Sequence, residues 1–197
     1  GAMRWFPQEQ VTAMTIDKIC TVWAGTENGI GEIRHQPMTL LEKAEAMQRM
    51  TRARHLRHNF VGVTRLDKFG DLTTSRNRDS DNDGLWTAMY LASELYRWGA
   101  TKEPSAKQNA IAAFDALERL ESITPIEGFP ARSFKHKSEP APRSGEWHWT
   151  PDKEWRWKGD TSSDEIDGHF YAYSLYYDLI GDEKERDRVR DLADKVC

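Results

Sequence analysis

Two short acidic segments are the first candidates for chemistry in this sequence. DSDNDG spans residues 79–84 and GDTSSDE spans residues 159–165, and each directly precedes a long apolar run. Together they supply six carboxylates, at Asp79, Asp81, Asp83, Asp160, Asp164 and Glu165. Carboxylates that lie in pairs can act as general acid and base, or they can bind a cation. We expect Asp83, Asp164 and Glu165 to be catalytic.

A histidine and a tyrosine follow the second acidic segment at helical spacing. His169 lies four residues after Glu165, and Tyr173 lies four residues after His169. Side chains four residues apart meet on one face of a helix. Because a neighbouring carboxylate raises the pKa of an imidazole, we expect Glu165 and His169 to form a catalytic acid–base pair. The alternative is that His169 is a buried, hydrogen-bonded core residue.

The apolar runs predict the helices that position these residues. Residues 85–98 and 163–180 are apolar nearly all round, which is typical of helices buried on most sides. Amphipathic patterns at 104–121 and 182–196 predict a surface helix after each buried one. Alternating buried and surface helices form toroids or solenoids of helical hairpins. The inner helices of a toroid run in one direction, so both acidic segments are expected at the same rim.

Helix capping is the competing explanation for these acids. Ser162 and Glu165 have the spacing of a capping box, as do Thr39 and Glu42 at the start of an earlier predicted helix. Acidic side chains also stabilise the positive end of a helix dipole. Capping therefore accounts for one or two acids in each segment, and it accounts less easily for several carboxylates beside a histidine.

The first acidic segment also matches half of a calcium-binding loop. Asp79, Asp81 and Asp83 alternate as in an EF-hand, but the twelfth position, which needs a glutamate, is Tyr90. The pattern disfavours an EF-hand and leaves open a looser calcium site at the three aspartates.

The most β-like part of the sequence precedes the helices. VTAMTID and TVWAG, within residues 11–33, are short alternating runs, and ENG is a turn signal. The V-T-A-M opening and the W-A-G-T-E-N-G-I close resemble one blade of the β-propeller repeat of bacterial two-component regulators. The resemblance implies a blade-like segment over residues 1–36, a helical domain over 37–197, and further blades in a larger parent chain. The alternative is a hairpin packed on the helical body.

The initial GAM is typical of a scar left by tag removal.

Aromatic and basic residues between the predicted helices indicate a carbohydrate ligand. The segment at residues 145–159, GEWHWTPDKEWRWKG, contains four tryptophans, whose faces can stack on sugar rings. Arg132 could hold a uronate carboxylate through two hydrogen bonds, or pair with a nearby acid. The expected substrate contacts are Asp81, Asn82, Trp86, Arg132, Trp155, Trp157, Asp160 and Tyr173. The alternative for the tryptophans is a lid hairpin that buries them in the core.

The starts of the two buried helices, DNDGLWTA and GDTSSDEIDGHF, resemble those of the (α/α) toroid domains of carbohydrate-active enzymes, the glycoside hydrolases and polysaccharide lyases. The resemblance implies a mainly α fold, a partial toroid with catalysis at its rim, and an oligosaccharide or polysaccharide substrate. It favours a secreted or periplasmic location and further helices in the parent chain. We predict a glycoside hydrolase, with Asp164 or Glu165 as the acid and Asp81 or Asp83 as the opposing carboxylate.

Two other functions remain open. In a polysaccharide lyase, His169 or Tyr173 would remove a proton next to a uronate carboxylate held by Arg132 and Asn82. In a sensor or binding module, the same rim would recognise a glycan without turnover.

The composition argues against several other classes of protein. With 38% hydrophobic and 30% charged residues among 197, the sequence is typical of a folded globular chain. A net charge of −4 gives no electrostatic footprint for nucleic acid, and we find no apolar run long enough to cross a membrane. Two cysteines, Cys20 and Cys197, without CxxC spacing disfavour a disulfide framework or a cysteine metal site.

Overall fold

The computed structural model describes residues 6–197, and the GAM start expected to be a tag scar lies outside the described residues. The described chain has 5 helices and small antiparallel sheets, with 45% helix and 20% strand, in rough agreement with a mainly α chain. The helices are α1 (Leu40–Arg54), α2 (Asp83–Thr101), α3 (Pro104–Ser122), α4 (Ser163–Leu179) and α5 (Glu183–Val196). The strands are β1 (Val11–Ile16), β2 (Val22–Thr26), β3 (Gly29–Ile33), β4 (Leu56–Arg57), β5 (Phe60–Val61), β6 (Val63–Leu66), β7 (Ser75–Arg78), β8 (Ser133–His136), β9 (Trp147–Trp149) and β10 (Trp155–Lys158).

The chain divides into two compact units. Unit 1 is the chain up to His55 together with Thr64–Arg78, and unit 2 is Leu56–Val63 together with Asp79–Cys197. This division assigns α1 to unit 1, whereas the sequence pattern placed the boundary between residues 36 and 37. Within residues 6–197, none of the helices combines the length and apolarity that a bilayer span requires.

Unit 1 contains the predicted β-rich segment. Strands β1, β2 and β3 form an antiparallel sheet in that order, and Thr26 pairs with Gly29 across the tight turn that the ENG signal predicts. Helix α1 begins with the predicted capping box. The Thr39 side chain accepts a hydrogen bond from the Glu42 backbone, and the Glu42 carboxylate accepts one from the Thr39 backbone. None of the residues of α1 is buried.

Short strands occur in both long stretches that connect α1 to α2 and α3 to α4. Within residues 59–83 lie β5, β6, a 3-10 turn at Leu72–Thr74, and β7. Within residues 123–161, β8, β10 and β9 form a three-stranded antiparallel sheet. Strands of two to four residues are too short to show a period-2 pattern, so the sequence contains little signal for them.

The core of unit 2 lies where α2, α3 and α4 pack together. Helix α2 buries most of its surface against both neighbours, as its almost continuous apolar character predicts. The ring of Phe114 on α3 stacks on Tyr176 of α4, with ring centroids 4.2 Å apart. Both rings are fully buried.

Helices α2 and α4 run in the same direction. Near their N-termini, the backbone N–H of Leu85 donates to the Glu165 carboxylate at 3.1 Å. Near the C-terminus of α4, Asp182 lies 3.6 Å from Lys107 at the start of α3, the helix that returns antiparallel from the end of α2. A Cβ added at Gly168 would lie 3.1 Å from the Leu85 backbone, so glycine permits this close approach of the two N-termini.

Candidate functional site

Both acidic segments meet where α2 and α4 begin, as the parallel direction of the helices requires. We call residues 79–84 and 159–165, together with Arg132, the α2–α4 rim. The Arg132 guanidinium joins the two segments, since it donates to the Asp81 carbonyl at 2.6 Å and the Asp160 carbonyl at 2.9 Å. A third donor of Arg132 reaches the Ser162 hydroxyl at 3.2 Å.

Glu165 connects the two helices from within the rim. Its side chain projects from α4, yet its Oε2 accepts the backbone N–H of Leu85 in the first turn of α2. It therefore caps the neighbouring helix instead of its own. Only 1% of Glu165 is exposed, and its second oxygen, Oε1, is buried without a hydrogen-bond partner. A Cβ at Gly84 would overlap Glu165 Oε2 and lie 2.9 Å from His169 Nε2, so these groups crowd around Gly84.

Asp83 is fully buried and has its hydrogen bonds satisfied. One carboxylate oxygen accepts from Arg57 Nη2 at 3.3 Å and from the Ser133 hydroxyl. The other accepts from the Ser80 backbone at 3.1 Å and the Ser80 hydroxyl at 3.0 Å. Burial raises the pKa of Asp83, and the hydrogen bonds and the Arg57 charge oppose this rise. These contacts place Asp83 in a buried ion pair with Arg57.

The carboxyl groups of the rim have pKa values that move in opposite directions. Burial raises the pKa of Glu165 to about 8; the hydrogen bond from Leu85 opposes the shift, and the nearby charge of Asp83 adds to it. The Lys158 ammonium lowers the pKa of Asp81, and a hydrogen bond from Ser162 lowers that of Asp164. At neutral pH, the rim thus contains a protonated carboxylic acid, Glu165, together with ionised carboxylates.

The three aspartates of the D-x-D-x-D run do not converge on one position where calcium could bind. Each of its three aspartates is paired with a different side-chain cation, and these cations are largely buried. The pairs are Asp79 with Lys135, Asp81 with Lys158 and Asp83 with Arg57. Within residues 6–197 there is no group of three acidic, histidine or cysteine side chains placed to hold a metal ion. The alternating carboxylates point to separate cations instead of one centre.

His169 does not have the raised pKa that the spacing from Glu165 predicts. It is 1% exposed, and burial lowers its pKa to about 4. Its Nδ1 shares a 2.8 Å hydrogen bond with the Tyr173 hydroxyl, which is also buried and whose pKa is raised, chiefly by burial. The expectation is wrong because the desolvation of the imidazolium dominates. At neutral pH this pair is uncharged.

The predicted capping box at the start of α4 is also absent. The N-cap residue is Ser162, as expected, but its side chain makes no capping hydrogen bond. Its hydroxyl bonds the Asp164 carboxylate and accepts from Arg132. Glu165 cannot complete the box because its carboxylate reaches across to α2. Asn82, the N-cap residue of α2, likewise makes no side-chain capping bond.

The expected aromatic contacts differ in their exposure. Trp86, in the first turn of α2, is 45% exposed. Trp157 is 5% exposed and stacks on His148 at 4.4 Å between ring centroids. Trp155 packs edge-on against Phe134 at 5.5 Å. The sheet of β8–β10 therefore uses Trp155 and Trp157 for packing, in line with the lid-hairpin alternative, and Trp86 alone of the three is open to a ligand.

The sequence pattern missed the cations that hold the rim together. Arg57 belongs to a basic run that is typical of the end of α1, but it lies in β4 and reaches Asp83 and the Phe134 carbonyl in unit 2. Lys158 ends β10, and only 5% of its side chain is exposed. The alternating run WRWK places Lys158 on the strand face of Arg156, opposite to the two tryptophans, so the sequence gives no signal for its burial.

No protein-family model, no curated protein and no solved structure matches this chain. The function is therefore inferred from the geometry of the rim.

Proposed function

We propose that unit 2 is a partial (α/α) toroid that hydrolyses a glycosidic bond at the α2–α4 rim, with Glu165 as the general acid. The observation that carries this proposal is the burial of Glu165 between α2 and α4 with one carboxylate oxygen unpartnered, which raises its pKa to about 8 beside acids whose pKa values are lowered. A glycosidase needs one carboxyl group that holds its proton at the working pH and one that does not. The parallel direction of α2 and α4 is that of neighbouring inner helices in a toroid.

Asp81 is the opposing carboxylate in this proposal. It lies on the other acidic segment, 61% of its side chain is exposed, and Lys158 keeps it ionised. Asp83 takes a positioning role, because its carboxylate is bound on all sides by Arg57, Ser133 and Ser80. Because Glu165 is 1% exposed, proton transfer to a leaving oxygen requires the side chains that cover it to move.

The direct test is the release of reducing ends from a panel of neutral and acidic polysaccharides. We expect the unchanged chain to cleave at least one of them and Glu165→Gln to lower kcat by about 100-fold or more. The matched control is Glu94→Gln on α2, because Glu94 is also 1% exposed with one unpartnered oxygen but pairs with Arg97. Full activity of Glu165→Gln, or cleavage of no polysaccharide in the panel, contradicts the assignment.

Binding of a glycan without turnover is the second candidate. It is favoured by a specific contrast in exposure: Glu165 and Asp83 are buried, whereas Trp86, Phe170 and Tyr171 on α2 and α4 are 45%, 37% and 42% exposed. These rings could stack on sugar faces without any access to the acids. Tight binding on a glycan array, with no product detected by chromatography, would select this function over hydrolysis.

The lyase alternative finds little support in these contacts. The Asp81 and Asp160 carbonyls and the Ser162 hydroxyl engage three of the five N–H donors of Arg132, so the residue expected to hold a uronate has two donors left, on different nitrogens. Tyr173 is 4% exposed, and burial raises its pKa, which makes it a poor base.

A further inference from the structure

We infer that the α2–α4 rim accepts saccharides that are uncharged or carry an amino group, and that it rejects uronic acids and sulfated sugars. The inference deepens the proposed function, because it names the substrate class of the same site. The inference rests on the arrangement of charges at the rim. The cations Lys158, Lys135 and Arg57 are buried, whereas the carboxylates of Asp81, Asp160 and Asp164 are exposed.

The basic groups of the rim are already engaged. Arg132 uses Nε, Nη1 and Nη2 to hold the two acidic segments together. An anionic sugar could use only the two remaining N–H groups of Arg132, one on Nη1 and one on Nη2, because the other three hold the two segments together. The structural role of Arg132 therefore reduces the number of donors it has for anion recognition.

The remaining cations lie below the surface. The side chains of Lys158, Lys135 and Arg57 are 5%, 8% and 8% exposed. Each is neutralised by one aspartate of the first acidic segment. A carboxylate or sulfate arriving from solvent would meet none of these charges directly, and it would have to compete with an aspartate already in place.

The exposed charges of the two acidic segments are negative. The side chain of Asp81 is 61% exposed, and Asp160 and Asp164 are also exposed. The pKa values of Asp81 and Asp164 are lowered, so both are ionised at neutral pH. These negative charges repel an anionic ligand, whereas sugar hydroxyls or an ammonium group can donate hydrogen bonds to the carboxylates.

One buried carboxylate oxygen at the rim lacks a hydrogen-bond partner. Glu165 Oε1 has no partner although the residue is 1% exposed. Such orphaned polar atoms are uncommon in folded proteins and call for an explanation. A protonated carboxyl group at this position can donate to a hydroxyl or glycosidic oxygen of a sugar, and it adds no positive charge that would attract an anionic one.

The test compares sugars that differ only in charge. The probes are cellotetraose and maltotetraose, their C6-oxidised counterparts built of glucuronic acid, and the β-1,4 glucosamine tetramer. Binding is followed at low salt by the NMR signal of the Trp86 indole N–H. We expect at least one neutral or amino probe to bind, and its oxidised counterpart to bind at least tenfold more weakly. The difference should shrink as salt screens the exposed acids.

A double variant tests whether the exposed acids cause the selectivity. Asp160→Asn with Asp164→Asn should narrow the gap between a neutral probe and its oxidised counterpart several-fold. An oxidised probe that binds the unchanged chain as tightly as its neutral counterpart overturns the inference and leaves the hydrolase proposal standing. If no probe shifts the Trp86 signal, a saccharide site at the rim is contradicted, and both proposals fail.

Discussion

Unit 1 leaves many of its large apolar side chains exposed, whereas unit 2 packs many of its own into a core. Helix α2 of unit 2 buries Leu91 and Leu95 completely, whereas Leu40 and Leu41 at the start of α1 are 87% and 60% exposed. In the sheet of unit 1, Ile30 is 70% exposed. Most helical stability in proteins comes from the packing of an apolar face, and α1 has no buried face. Local signals such as the Thr39 capping box define α1, and tertiary packing defines α2.

The same contrast applies to charge. Unit 2 buries the ion pair of Arg57 with Asp83, with side chains 8% and 0% exposed. In unit 1, Arg76 and Asp67 pair at the surface with side chains 73% and 45% exposed. Breaking a buried ion pair costs more stability than breaking a surface pair, because the remaining partner is a charge held away from water. The rim of unit 2 is therefore a place where single substitutions should have large effects.

The largest expected effect comes from the core of unit 2. Phe114→Ala removes a fully buried ring that stacks on Tyr176, and it should lower the free energy of unfolding by about 3–5 kcal/mol. Leu40→Ala in α1 should change that free energy by no more than about 0.5 kcal/mol, since the side chain is 87% exposed. Denaturant unfolding followed by circular dichroism measures both. Similar losses for the two variants would remove the distinction between the units.

The second-largest expected effect distinguishes the buried ion pair of unit 2 from the exposed ion pair of unit 1. Asp83→Ala removes the fully buried partner of Arg57, leaving Glu139 as its other carboxylate, and removes the acceptor of the Ser133 and Ser80 hydroxyls; it should cost about 3 kcal/mol. Asp67→Ala in unit 1 removes an exposed partner and should cost at most about 1 kcal/mol. The measurement is again the free energy of unfolding. A small cost for Asp83→Ala would mean that the buried pair does not hold the rim together.

A smaller effect is expected in the pH dependence of stability. The pKa of Glu165 is about 8 in the folded chain and near 4.5 when unfolded, so the folded state binds more protons in this window. Stability from Glu165 is therefore complete below about pH 4.5 and is lost as pH rises towards 8. Between pH 6.5 and 8 the loss should be about 2 kcal/mol. His169 acts below this range, because its lowered pKa removes stability as pH falls from 6.5 to about 4.

The substitution Glu165→Gln should abolish most of the loss of stability between pH 6.5 and 8. The control Glu94→Gln, equally buried on α2, should leave the pH dependence of the parent chain in place. Thermal melts at several pH values measure both. A Glu165→Gln chain that still loses stability over this range would assign the alkaline effect to another group.

The sequence allowed the helices to be predicted because their signals are local. The apolar run after Asp83, the Pro104 start of α3 and the capping box of α1 each lie within a few residues of the element they define. The expectation that the two acidic segments share one rim also agrees with the contacts between Leu85 and Glu165. Local spacing and one topological rule were sufficient for these features.

The details of the rim could not be predicted because its partners come from distant parts of the chain. Nothing near Asp83 indicates that Arg57 from β4 and Ser133 from β8 bind its carboxylate. The spacing of Ser162 and Glu165 predicts a capping box, but the close packing at Gly168 brings α2 near enough for Glu165 to cap that helix instead. Burial of His169 likewise depends on packing between helices, so the direction of its pKa shift was not evident from its distance to Glu165 in the sequence.

The central claim is that Glu165 keeps its proton at neutral pH at the junction of α2 and α4. Carbon-13 NMR of side-chain carboxyl groups, with Glu165→Gln used to assign the signal, measures this directly. The account predicts that the Glu165 carboxyl carbon titrates with a pKa of about 8. A Glu165 signal that titrates below pH 5 would show an ionised carboxylate at neutral pH, and it would contradict the assignment of Glu165 as the acid.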